Sequence, residues 1–199
     1  MWRPLWGLPS PSRGYLFNMY IAKKLRETNI AEYLLYMWQV EDIIRANGLN
    51  MDRLRENYLS QFPVEGEEEQ ELECWYANLI RMMREEGVTE KGHLQINKNI
   101  VSWLTDLHNK LLSSSQFPSY SAAYYQALPF IVELRQRGGD KQKPELENCF
   151  DALYGIMLLR LQKKPVSKGT EHAARCISRL LGMLSAYYKQ EETGEMKLN

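Results

Sequence analysis

The chain has 199 residues, 44% hydrophobic and 25% charged, and its 25 Lys and Arg balance its 25 Asp and Glu to a formal net charge of zero. Such a composition belongs to a globular protein with a sizeable core and excludes wholesale disorder, while the charge balance provides no global field to attract nucleic acid or an anionic surface. No run approaches the roughly 18 apolar residues of a spanning helix, so neither a membrane nor nucleic acid is expected as a partner.

Residues 1–18 differ from all that follows. Pro4, Pro9 and Pro11 break any helix there, and the segment lacks both the apolar stretch of roughly 7 to 15 residues and the cleavage site that a secretory signal needs. It reads as a disordered N-terminal extension, and the change of texture at Met19 is what a start placed upstream in error would leave. From Met19 to about Lys189 the periodicity is helical, with no alternation long enough for a strand. The fold class is therefore all-α: a single-domain bundle of six to seven mostly antiparallel helices over 19–190, with 191–199 as a frayed tail.

A short piece over Tyr20 to Glu27 pauses at Thr28-Asn29, and the first main helix follows to Gly48. Ile30, Tyr33, Leu34, Met37, Val40 and Ile44 share one face of it at 100° per residue, and Glu41 falls near the middle of that face. Leu35 and Tyr36 point elsewhere and offer a second contact surface. A short helix then runs from Asn50 or Asp52 to about Gln61. The next begins in the acidic run Glu65 to Glu73, which suits the positive end of a helix dipole and a solvated face; its inward stripe is Leu72, Trp75, Tyr76, Leu79 and Met83.

Thr89 and Glu90 lead into a fourth helix reaching about Leu112, with Ile96, Ile100, Trp103, Leu104, Leu107 and Leu111 on a broad apolar face and His108 at its edge. The fifth carries Pro129 in its interior, so two half-helices are expected. The sixth lies between Pro144 and Pro165, with Leu146, Cys149, Phe150, Leu153, Met157 and Leu161 on one face and Arg160 projecting from it. The seventh runs from about Thr170 to Gln190.

Two opposite charges thus sit on two apolar faces, and an unpaired buried charge costs several kcal/mol. Glu41 and Arg160 are accordingly expected to form a buried polar pair that fixes helix register, with a pocket lined by both, and by His108, as the chemical alternative. Glu90 and His93 have the Glu-x-x-His spacing of di-iron bundles, but His108 and His172 lack a glutamate three residues earlier, so the second copy such a site needs is missing. No metal, cofactor or catalytic residue is predicted. Basic clusters at Arg135 to Lys143 and at Lys163 to Lys168 flank a helix whose length keeps them roughly 30 Å apart, too far for one nucleic-acid patch. Cys74, Cys149 and Cys176 have no CxxC spacing and suit free buried thiols in a reducing cytoplasm.

Met19 to Asn47 together with Asp151 to Gly155, DALYG, resembles an uncharacterised bacterial family of anaerobic gut bacteria known only as a domain of unknown function. The resemblance covers Met19 to about Lys189 and implies a cytoplasmic bacterial protein without implying any chemistry. With 12 Tyr and 5 Trp and no catalytic motif, the expected function is non-enzymatic, through a homodimer or a protein partner; a ligand-binding or enzymatic bundle around Glu41 and Arg160 is the alternative.

Overall fold

The computed structural model describes residues 17–62, 65–137 and 143–196. Among them all regular structure is helical: α1 (Phe17–Thr28), α2 (Ile30–Ala46), α3 (Met51–Asn57), a 3-10 turn at Leu59–Gln61, α4 (Glu67–Glu85), α5 (Gln95–Ser113), α6 (Pro118–Arg137), α7 (Glu145–Leu161) and α8 (Lys168–Glu192). The all-α class is as expected, with eight helices in place of six or seven. The extra one is α1, which the sequence marked only as a piece pausing at Thr28. Residues 1–16 lie outside the described residues, and Phe17 already belongs to α1, so the extension expected over 1–18 overlaps a helix at its end. None of the described helices is long and apolar enough to cross a membrane.

The helices group into two compact units, where the sequence suggested one bundle. One takes α1 and Glu32–Lys98; the other takes Asn29–Ala31 and the chain from Asn99 onward. In the first, α2 supplies the core: Tyr33, Leu34, Leu35, Tyr36, Met37, Trp38, Val40 and Ile44 are all buried. Leu35 and Tyr36 therefore do not form a separate contact surface, because a helix that is apolar nearly all round is enclosed on every side. Asn50 caps α3 by accepting the Arg53 N–H at 2.9 Å. On α4, Leu72, Tyr76, Leu79, Ile80 and Met83 are buried and Trp75 is half-buried, edge-on to Tyr76. The acids Glu67, Glu68 and Glu69 occupy the first turn, where the helix dipole favours them. Further along, Glu73 takes two hydrogen bonds from Arg55 at 2.5 and 3.1 Å, and this guanidinium holds its carboxyl below the ordinary range.

In the second unit α6, α7 and α8 pack on one another, burying Ala127, Ile131, Phe150, Leu153, Ile177, Leu180, Leu181 and Leu184. The α5 residues Ile100, Leu104, Leu107 and Leu111 are buried as well, but Trp103, placed on the same face from the sequence, is 52% exposed and Ile96 is exposed too. Helix α6 runs unbroken through Pro129 instead of dividing there. Pro129 lies on the solvent side, so the backbone carbonyl it leaves without an amide faces water and the cost of burying it does not arise. Ser167 caps α8 by accepting the Thr170 N–H at 3.1 Å. Ser185, inside α8, donates to Asn29 Oδ1 at 2.8 Å, which ties the Asn29–Ala31 segment to this unit.

Candidate functional site

The strongest polar constellation in the first unit is built around Glu41. Its side chain is 0% exposed, and its partners come from the chain between Val88 and Asn97. Glu41 Oε1 accepts the Leu94 N–H at 3.0 Å and the Asn97 Nδ2–H at 2.8 Å. Glu41 Oε2 lies 2.7 Å from His93 Nδ1 and 3.9 Å from Arg45 Nη2. A carboxylate only accepts, so it is His93 Nδ1–H that donates to Glu41. The imidazole is clamped from its face as well, stacked on Trp38 with centroids 4.0 Å apart and planes 13° from parallel. Arg45, one turn beyond Glu41, reaches the carbonyls of Val88 and Gly92.

This geometry caps α5 from a distance. Leu94 precedes its first residue and accepts the N–H groups of Asn97 and Lys98. The Leu94 N–H is answered by Glu41, and the Gln95 N–H by Glu86 Oε2 at 2.6 Å. Two carboxylates from other parts of the chain thus serve the start of α5, where its dipole is positive. The helix consequently begins at Gln95, not near Thr89 as its sequence suggests. Left-handed φ values at Gly87 (68°) and Gly92 (86°) shape the intervening loop. His93, which the sequence marked only by its Glu-x-x-His spacing from Glu90, is a half-buried member of the network.

The expected pairing of Glu41 with Arg160 therefore gives way to local partners. Arg160, on α7, is half-buried and has its Nη2 3.9 Å from Glu171 Oε1 on α8. Glu41's needs are met by the His93 ring, the Leu94 N–H and the Asn97 amide, and no distant cation is required.

His108 sits in a second constellation, formed by α5, α6 and α7 within the second unit. The ring is buried, its Nδ1 2.6 Å from the Tyr120 hydroxyl, with Tyr120 and Tyr124 both edge-on to it. Burial pushes its imidazole down to about 4, so it is neutral near pH 7. Across from it, Glu145 Oε1 lies 3.8 Å from His108 Nε2, is enclosed, and has no hydrogen-bond partner among the described residues. Burial raises the Glu145 carboxyl, against a hydrogen bond from Tyr124 and the charge of Arg135. Cys149, one turn along α7 from Glu145, is buried and its thiol is pushed up by burial, while Cys176 is half-buried and Cys74 exposed. The three thiols are free, but only Cys149 is fully enclosed as the sequence suggested for all of them.

Two surface features of the second unit complete the inventory. A groove of about 350 Å³ is lined by Phe130, Leu134, Ile156, Ala173 and Ile177, with Glu133 at its polar side; it contains none of Glu41, Arg160 or His108. Beside it, Pro118, Ala122, Tyr125, Pro129, Val132 and Gln136 fall within one stripe of α6 at 100° per residue. All six are exposed and none is charged. Tyr125 is 67% exposed and Val132 44%. The spacing of the six residues carries the signal for this stripe in the sequence. Among the described residues no set of three His, Cys, Asp or Glu side chains is placed to hold a metal ion.

Residues 19–195 match the family described as Domain of unknown function (DUF4924), and the chain belongs to that family. No curated protein and no protein of solved structure matches it.

Proposed function

We propose that this DUF4924 chain works by self-association and not by catalysis, as a cytoplasmic bacterial protein. The observation that carries the reading is the exposed, uncharged stripe along α6. A protein with 25% charged residues leaves few solvent-facing helix faces without a charge, and an apolar stripe in water is characteristic of a contact surface. Support also comes from how the polar residues are used: Glu41 and His93 hold a loop and start a helix, and His108 is bonded into the helix packing. The free thiols fit a reducing compartment.

Light scattering coupled to size exclusion, run from about 10 to 500 μM, tests this. A weak dimer that tightens with concentration is expected, and Val132→Glu, which places a charge on a surface residue, returns it to monomer without altering the helical circular dichroism. A monomer across the whole range defeats the reading.

Ligand binding is the second reading, favoured by the ≈350 Å³ groove, which has the size of a small-molecule site. It would rest on Phe130, Leu134 and Ile177 and not on the charged residues singled out from the sequence.

A further inference from the structure

We infer that Nε2 of His93 is a phosphoryl acceptor, made nucleophilic by the buried Glu41 carboxylate and served by a small donor of the phosphoramidate or acyl phosphate class. The inference stands apart from self-association, since it needs only one copy of the chain.

The two nitrogens of the His93 ring lie in different surroundings. On the Nδ1 side the ring is bound at 2.7 Å to a carboxylate that is 0% exposed. On the other side Nε2 makes no hydrogen bond among the described residues, and it is not one of the enclosed side-chain atoms left without one. That nitrogen therefore meets solvent, although the side chain is only 20% exposed. A neutral imidazole carries its proton on one nitrogen and its lone pair on the other. With Nδ1–H committed to Glu41, the lone pair of the neutral ring is on the solvent side. A carboxylate on the far nitrogen raises the basicity of an imidazole in the same way in hydrolytic triads and at metal centres.

Neighbouring contacts suit attack by this nitrogen. The stack on Trp38, with centroids 4.0 Å apart, holds the plane of the ring and stabilises the positive charge gained when Nε2 forms a bond. Arg45 lies 3.9 Å from the same Glu41 oxygen, but its guanidinium is engaged with Asp42 and with the carbonyls of Val88 and Gly92. The N–H groups of Leu94 and Gln95 are taken by Glu41 and Glu86. They are not available to hold a free phosphate ion, so capture is by bond formation, and the positive end of α5 favours the dianion that results. An acyl group on imidazole is soon lost to water, whereas a phosphoryl group is retained in basic solution.

With phosphoramidate the step balances. The Nε2 lone pair forms an N–P bond while the P–N bond of the reagent, protonated on nitrogen, breaks and ammonia leaves with the electron pair. The ring keeps its Nδ1 proton and gains one positive charge beside Glu41.

The other two histidines are controls within the same chain. His172 is exposed and has only Cys176 Sγ at 4.0 Å and the edge of Phe130 beside it, while His108 is buried. Exposure alone ranks His172 first; activation by Glu41 ranks His93 first.

Potassium phosphoramidate near pH 8, followed by mass spectrometry of peptides kept alkaline to preserve the acid-labile N–P bond, reads the ratio of modification at His93 to that at His172. The ratio should be about ten in the folded protein and fall to about one in concentrated guanidinium chloride. Glu41→Gln removes the charge and makes one side of the group a donor, and should also bring the ratio to about one with circular dichroism unchanged. If that variant does not fold, folded against denatured wild type decides alone. His172 reacting as fast as His93 in the folded chain overturns the inference. A preference for His93 that persists in guanidinium chloride, or in a folded Glu41→Gln, overturns it as well, because the carboxylate is then not its source.

Discussion

In the unit that contains Glu32–Lys98, a fully enclosed carboxylate is surrounded by donors on every side, whereas in the later unit the Glu145 carboxylate keeps one enclosed oxygen without a donor and the imidazole beside it is neutral. Both constellations pair a glutamate with a histidine in a helical core. They differ in what surrounds the acid. Glu41 faces a loop and a helix start, which present backbone N–H groups; Glu145 stands in the first turn of α7 and faces side chains of other helices, whose backbone donors are already spent. Burial alone does not decide how an acid behaves; the availability of uncommitted donors does.

The largest effect should come from breaking the saturated network. Glu41→Leu preserves bulk but strands the donors of Leu94, Asn97, His93 and Arg45, and should cost about 3 to 5 kcal/mol in urea unfolding. A loss under about 1 kcal/mol would mean that the donors find other partners and that the contrast between the two acids is false.

The second effect belongs to His108. Its folded value of about 4 lies below the ordinary 6.5, so between these values the unfolded chain binds more protons and stability rises with pH. Lowering the pH from 6.5 towards 4 should therefore remove up to about 3 kcal/mol. Glu145 works in the opposite sense: its raised value stabilises below its ordinary 4.5, and that contribution is lost as pH rises through its folded value. Urea midpoints from pH 7.5 to 5 in wild type and His108→Gln separate the two, since only the wild type should show the histidine slope. Equal slopes would place the titration elsewhere.

The smallest effect is expected at Arg160. Its ion pair with Glu171 is long and partly solvated, so Arg160→Ala should cost under about 1 kcal/mol by the same measurement. A loss above about 2 kcal/mol would restore the buried role that the sequence suggested for it.

Much of the fold could be read from periodicity. The buried faces of α2, α4, α7 and α8 largely follow their 3.6-residue spacing, because packing against other helices is what that spacing reports. Glu41 stood out for the same reason. Its partners did not, since His93 and the Leu94 N–H lie in and at the end of a loop, and apolar periodicity carries no information about which loop closes over which helix. Arg160 looked like the natural partner because it was the other charge on an apolar face, yet its long side chain leaves that face and reaches Glu171. Trp103 shows the converse: a residue at an inward spacing that is left exposed among the described residues.

The capping of α5 has a consequence for the order of assembly. The first turn of most helices is held by residues a few positions away, and so can form as soon as the chain is made. Here the contact between Glu41 and Leu94 spans 53 positions, and a loop of that length must close before it exists. The start of α5 is therefore set late, after α2 is in position. Its leading amides should exchange with solvent only as fast as the whole Glu32–Lys98 unit opens, and not at the rate of a fraying helix end.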